Sequence, residues 1–585
     1  MALQVLSSPF LVSTTLLSPF HSSKNSITIC TIKSTRSVAN AITVDDHMIA
    51  RRSANYLQSV WDYDFVQSLT SDYNEEKYVM QADKLKDNVK CLINEVTDPL
   101  AKLELIDAIQ RLGLKYLFET EIKNALRIVY KESNISWLSD DLYAIALRFR
   151  LLRQHGYNVP QGVFERFRDE TGNFKTSLFE DVEGLLNLYE ASFFGLEAEN
   201  IIDQAKVFTT THLKAIIGDI PPSLARKVGQ ALNMPLHWRM ARVEARWFID
   251  TYEQDQNMNP TLLQLAKLEY NIVQAVHQKE VSKLASWWVD MGLNKISFAR
   301  DRLVEHYFWC NGIVFESQYG PFRQMATKII CLITTIDDVY DLYGSLEEIE
   351  LFTDFVDRWD INEIDKLPRN IKTCLLAMYN TSNEIGYWTL KERDFNIIPY
   401  LSKAWADLCK AYFKEARWYH SGYRPTLEEY LDNAVVSIAA PLMLICSYFL
   451  TTDKITKEVL DDIDKLPSIM RCSSMLLRLT DDLGTSSDEL ARGDNPKAIQ
   501  CYMNDTGASE EVAREYINSL VHETWKALNG EMLKSYPFSE PFISANANLG
   551  RTAQCFYQHG DGHGVPVPWT KDRLISLLVE PIPLN

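Results

Sequence analysis

The chain has 585 residues, long enough for two or three domains with sizeable cores. Its formal charge of −18 argues against a nucleic-acid or anionic-membrane surface, so an anionic ligand would need local arginine, lysine or metal. Ten cysteines without a C-x-x-C pair point to a reducing compartment, and the longest apolar run, Val435–Leu450, is too short to span a membrane and contains Pro441.

Residues 1 to about 44 hold no Asp or Glu, are rich in Ser and Thr, and carry only Lys24, Lys33 and Arg36 as charges. That is transit-peptide composition, and residues 1–50 are set apart from the fold as disordered. Arg51 and Arg52 follow, then Trp61 after eight residues; taken alone, such a pair marks a processing boundary or a solvated patch. From about Asp62 to Gln256 the pattern is one of successive amphipathic helices. Leu105, Ile109, Leu112 and Leu117 recur at near-helical spacing, and a helix ends at His155 with Gly156 as its C′ residue. No D-x-D-D motif occurs here; Asp140–Asp141 does not match one, nor does the run Asp461, Asp462, Ile463, Asp464. This region, 51–260, is expected to be structural. A boundary near Asn257–Thr261 is marked by Pro260 after a polar stretch.

Region 261–585 is expected to be an α-helical bundle around one cavity. FARDRLVE brings Arg300 and Arg302, which on a continuous helix would point about 200° apart, so their joint use requires a loop or helix junction. Trp309 follows in an apolar stretch. The run IICLITTIDDVYDLYG then ends in carboxylates: if it is a helix stopped by Gly344, Asp337 and Asp341 share one face and Asp338 lies about 100° round. Three acids near a helix C-terminus oppose the macrodipole unless a cation joins them, and an all-oxygen set suits Mg2+ or Mn2+. Pro441 in SIAAP breaks or kinks its helix and leaves carbonyls free to face a cation, with packing strain the duller account.

In LLRLTDDLGTSSDE, Asp481, Thr485 and Glu489 are spaced i, i+4, i+8, an oxygen stripe roughly 12 Å long on a helix. Asp482 and Asp488 read as solvated, and Gly484 needs a packing or curvature reason. Arg478, one turn earlier, either holds a phosphate beside the metals or forms an ion pair within the helix. Near the end, YQHGDGHG places His559 and His563 four apart, but its three glycines make a zinc-binding helix improbable, and the segment reads as a mobile lid.

IDDVYD and DDLGTSSDE, some 140 residues apart, together resemble the two metal-binding motifs of class I terpene synthases, and in detail the plant monoterpene synthases of limonene-synthase type. The resemblance runs from about Arg51 to the C-terminus. It implies an all-α, two-domain fold: an N-terminal α-barrel-like domain (51–260) and a C-terminal metal-binding catalytic bundle (261–585), behind a plastid transit peptide (1–50). It implies metal on Asp337, Asp341, Asp481, Thr485 and Glu489, with three Mg2+ ions or Mn2+ in their place. Arg300, Arg302 and Lys497 become diphosphate ligands beside Arg478, Asp337, Asp341 and Asp481; Asp338, Trp309 and Tyr557 join the catalytic set, the last two as pocket aromatics. The tandem arginines are associated in this family with cyclic products and with a strand closing over the site. Ile330 stands where some relatives carry Asn, which leans towards proton loss rather than water capture. The implied substrate is geranyl diphosphate, acted on by a monomer or weak homodimer in the plastid stroma, with no nucleic-acid partner and no membrane span.

Overall fold

The computed structural model describes residues 51–131, 140–564 and 568–584. The transit-peptide expectation for 1–50 lies outside them. Among the described residues the chain is helical, and the sole extended pairing is the isolated bridge between Arg168 and Phe174.

The first region carries α1 (Tyr63–Gln67), α2 (Glu76–Glu95), α3 (Pro99–Arg111), α4 (Glu119–Lys131), α5 (Leu142–Gln154), α6 (Val182–Ser192), α7 (Asn200–Ile216), α8 (Pro222–Asn233) and α9 (Ala241–Tyr252). Asp62, Asp98, Asp141 and Asp181 cap four of these helices through their carboxylates, each bond satisfying a backbone N–H that would otherwise cost about 1 kcal/mol. The stop after α5 is as expected, with Gly156 at φ +79°.

After a polar turn, Asn259 caps α10 (Pro260–Asp290), which packs on α1 and α2 and so joins the first region to the second. The second continues with α11 (Leu303–Ile313), α12 (Gly320–Asp338), α13 (Leu346–Arg358), α14 (Arg369–Arg393), α15 (Ile398–Ser421), α16 (Leu427–Ser437), α17 (Ala440–Thr451), α18 (Lys457–Ile463), α19 (Ser468–Arg492), α20 (Ala498–Thr506), α21 (Glu510–Met532), α22 (Glu540–Tyr557) and α23 (Pro568–Leu578). Helices α10, α11 and α12 are fixed to one another by Glu280, which accepts from Arg323 through both carboxylate oxygens at 2.8 Å and from Tyr307 at 2.8 Å. Arg323 is fully buried, so this paired charge keeps α11 and α12, two of the helices that line the cavity, in register on α10.

One expectation about a helix end and one about the length of an apolar run need correction. Helix α12 ends at Asp338, not at Gly344: a π-turn, Val339–Tyr343, follows, closed by Gly344 N–H to the Val339 carbonyl at 2.8 Å. Gly344 has φ −76° and is no left-handed cap; it is glycine because a Cβ would sit 2.5 Å from Ile349 Cγ2. The apolar stretch Leu427–Thr451 has the length and composition to cross a membrane, but 78% of its most apolar 18-residue window is buried inside the protein. It is broken between α16 and α17, where Ala439 has φ +63° and Pro441 lies in the first turn of α17.

Candidate active site

One cavity collects both acidic motifs. Asp337 from α12 and Asp341 from the π-turn line it together with Asp481, Thr485 and Glu489 from the continuous helix α19. Arg300, Arg478, Arg492 and Lys497 line the same end. The opposite end is greasy, formed by Trp309, Ile330, Ile333, Ile438, Met443 and Leu549. Trp309 is stacked on Phe556 with centroids 4.6 Å apart, a pairing of about 1 kcal/mol that holds the indole in place.

The cations lie on the acids. Arg300 Nη2 donates to Asp337 Oδ2 at 2.5 Å. Asp338 is fully buried behind it, accepting from the Arg300 backbone N–H at 2.8 Å and lying 3.0 Å from the guanidinium. Burial pushes the Asp338 carboxyl up to about 6, against the pull of Arg300. Asp338, expected in the catalytic set, therefore does not line the cavity; it lies under Arg300 and orients it.

Arg478 pairs with both Asp481 and Asp482, so the ion pair within the helix is present while the guanidinium still faces the cavity. Asp482 is fully buried rather than solvated. It accepts from Tyr430 Oη at 2.9 Å and from the Ala498 N–H at 2.9 Å, fastening α19 to α16 and to the start of α20. Asp488 is exposed, as expected. Lys497 stands 3.9 Å from Glu489; burial opposes its charge, but Glu489 raises its proton affinity and keeps it cationic.

Arg302 departs most from expectation. The helix junction is there, with Arg302 at the N-cap of α11, yet its side chain turns away from the cavity and is 1% exposed. It donates to the carbonyls of Asp301 at 2.7 Å, Leu57 at 3.1 Å and Gly564 at 2.9 Å, and so ties the N-terminal strand to the glycine-rich C-terminal segment. Three backbone carbonyls hold the guanidinium in that position.

The tandem arginines reach the acidic end. Arg51 donates to the Tyr343 carbonyl at 2.7 Å and to Glu348 at 2.9 Å; Arg52 donates to the Asp341 carbonyl at 2.9 Å and to Asp494 at 2.8 Å. The strand behind them puts the Tyr56 ring against Arg300, 5.2 Å from the guanidinium, and into the cavity lining.

The C-terminal segment closes the other side. Gly484 is explained by Tyr557, whose Cβ would lie 2.9 Å from an added methyl, with the Gly560 carbonyl at 3.3 Å. Burial first, and the Asp481 charge second, raise the pKa of the Tyr557 hydroxyl. The segment is held as a turn, not a helix: Asp561 accepts from the His563 and Gly564 N–H groups, and Gly560 has φ +103°. His563 lines the cavity with a buried Nε2 that has no hydrogen-bond partner, and burial with Arg300 and Arg302 nearby lowers its pKa to about 3. Sequence reasoning missed His563, Asp561, Arg492 and Tyr56 as lining residues. Tyr56 alone had a signal, lying between the arginine pair and Trp61.

The oxygen set fits a hard divalent cation. Thr485 Oγ1 and Glu489 Oε2 are buried without a hydrogen-bond partner, an expense that a bound cation would remove. Among the described residues no three Asp, Glu, His or Cys side chains close round one point. A cation here would complete its shell with phosphate oxygens and water, the habit of Mg2+.

Comparison with known proteins agrees. Residues 289–527 match the metal-binding domain of the terpene synthase family and residues 60–232 match the N-terminal domain of terpene synthases. The chain is 55% identical over 542 residues to a (−)-alpha-terpineol synthase of Vitis vinifera, covering 92% of each protein. It is 54% identical to a beta-bisabolene synthase of Santalum austrocaledonicum (92% of this chain, 95% of that one) and 53% identical to a chloroplastic myrcene synthase of Quercus ilex (94% and 92%). Among solved structures, limonene synthase with 2-fluorolinalyl diphosphate superposes with a TM-score of 0.89 at 44% identity, covering 91% of this chain and 100% of that one. Grey poplar isoprene synthase, with three Mg2+ ions and dimethylallyl-S-thiolodiphosphate, gives 0.83 at 44% identity, covering 90% and 99%.

Proposed function

Because the chain belongs to the terpene synthase family, we propose that it is a monoterpene synthase, converting geranyl diphosphate to inorganic diphosphate and a cyclic monoterpene. Limonene is the first candidate, with pinene and sabinene behind it; the hydroxylated α-terpineol or the acyclic linalool is the alternative product. The observation that carries this reading is the polarity of one cavity: carboxylates and cations at one end, aromatic and aliphatic side chains at the other.

The allylic C–O bond breaks with both electrons leaving on the diphosphate. Three Mg2+ ions, or Mn2+, held by Asp337, Asp341, Asp481, Thr485 and Glu489, would supply the positive charge that stabilises that leaving group. Arg300, Arg478 and Lys497 hold its oxygens, and Asp338 keeps Arg300 aimed. Arg302 acts at one remove, by drawing the N-terminal strand and the C-terminal segment together so that water is shut out. At the apolar end the Trp309 face steadies the carbocation by about 0.5–2 kcal/mol. Ile330 offers no hydrogen-bonding group to retain a water, and the neutral His563 Nε2 accepts the final proton. Tyr557, which lines the cavity beside Asp481, caps it. All of these residues lie in 261–585; from the structural region 51–260 the cavity receives Tyr56.

The names of chloroplastic relatives support plastid import directed by residues 1–50, with the mature enzyme a monomer or weak homodimer. Resemblance to a beta-bisabolene synthase favours farnesyl diphosphate as the second reading. Protein starting at Arg51, incubated with geranyl or farnesyl diphosphate and Mg2+ with and without EDTA, decides by gas chromatography. C10 volatiles abolished by chelation are expected; a C15 main product would select the second reading, and turnover of neither substrate would end both.

A further inference from the structure

Glu415 on α15 belongs to neither acidic motif, does not line the cavity, and is 8% exposed. Its carboxylate Oε1 accepts from Ser437 Oγ at 2.5 Å and from Asn433 Nδ2 at 2.8 Å. Both donors lie on the last turns of α16. Beyond Ser437 the helix breaks at Ile438 and Ala439, and all three residues line the greasy end of the cavity. Ala439 is held at φ +63°, a left-handed conformation that costs a non-glycine residue about 1 kcal/mol or more and persists only where its surroundings dictate it. Pro441 has no N–H, so the Ser437 carbonyl loses the donor that a continuous helix would give it four residues on. The Ser437–Glu415 bond is the side-chain anchor at that break.

The same residue reaches the ionic end. The Glu415 backbone carbonyl accepts from Asn495 Nδ2 at 2.8 Å. Asn495 belongs to the turn after α19 that delivers Lys497 to the cavity.

We propose that Glu415 is a positioning residue for both halves of the reaction. Through Ser437 it sets the backbone break that faces the hydrocarbon, and through its backbone carbonyl and Asn495 it sets the placement of Lys497. This rests on the synthase reading above.

Two variants separate the halves. Asn495→Ala removes the donor to the Glu415 carbonyl and leaves the Ser437 bond. It should raise KM for geranyl diphosphate about threefold to tenfold and leave kcat and the product ratio in place. Ser437→Ala frees the break and leaves the Asn495 bond. It should change the product ratio at least about twofold with the KM of the unchanged chain. Thermal melts of both confirm that each is folded. If Asn495→Ala keeps the original KM, or Ser437→Ala keeps the original products, the inference is overturned while the synthase reading stands. Failure of the unchanged chain to turn over geranyl diphosphate would overturn both.

Discussion

Arg52 donates to the backbone carbonyl of Asp341 at 2.9 Å, so the N-terminal strand is fastened to a residue whose carboxylate faces the cavity. Its second anchor, Asp494, follows the other acidic motif, so one guanidinium spans the ends of both ridges. Lysine carries the charge but cannot make both bonds in this geometry. Arg52→Lys and Arg52→Ala should each lower turnover about tenfold and raise the share of acyclic and hydroxylated products, because Tyr56 loses its hold over Arg300 and water enters. The melting temperature should move little, since the side chain is one-third exposed. Headspace chromatography alongside a melt checks this; unchanged products would mean the strand is not the cover.

Asp337 and Asp338 are neighbours with different work. Asp337 faces the cavity, whereas Asp338 is buried and holds Arg300 by backbone and side chain. Asp338→Asn removes the buried charge that pairs with the half-buried Arg300, a loss on the order of 3 kcal/mol. It should lower the melting temperature clearly and raise KM for the diphosphate substrate. Asp337→Asn should instead cut kcat at least about a hundredfold with the fold intact. Equal melting behaviour of the two variants would refute this division of roles.

The sequence made the fold class and the oxygen stripe legible because both rest on short-range periodicity. Asp481, Thr485 and Glu489 fall on one face of α19 whatever surrounds them. Arg302 and Asp338 were misplaced for the opposite reason. Which way a side chain turns at a helix junction depends on partners far along the chain, here the carbonyls of Leu57 and Gly564, and nothing at Arg302 itself announces them. The π-turn after Asp338 was equally invisible, since one extra residue in a turn leaves no compositional mark. Glycine at 484 gave a sign without its cause, and the cause is Tyr557, 73 residues further on.

That close approach makes Gly484→Ala informative. Alanine favours the interior of α19 by about 1 kcal/mol, but its methyl would stand 2.9 Å from Tyr557 Cβ and 3.3 Å from the Gly560 carbonyl. The C-terminal segment must shift to make room. The helix gain and the packing loss should nearly cancel in a melt, while turnover falls about tenfold and water-derived alcohols increase. A more stable variant with unchanged products would show that the segment has no part in excluding water.

His237 supplies a pH dependence away from the acidic site. It is 3% exposed, its Nε2 lies 2.7 Å from Asn529 Oδ1, and Arg551 Nη2 donates to its Nδ1 at 3.3 Å. Nδ1 is thus an acceptor and Nε2 a donor, the neutral tautomer; burial first, and the Arg551 charge second, hold its pKa well below the usual histidine range. The folded form refuses a proton that the unfolded chain accepts at about pH 6.5, so the stabilisation is complete above that pH and is lost as pH falls below it. Each unit of pH below 6.5 costs about 1.4 kcal/mol from this group. His237→Gln, whatever its stability at pH 7.5, should lose less on going to pH 5.5 than the unchanged chain, by about that amount. Parallel melts at the two values test it: identical losses in the two proteins would mean that His237 takes up its proton without unfolding, and that Arg551 yields to it.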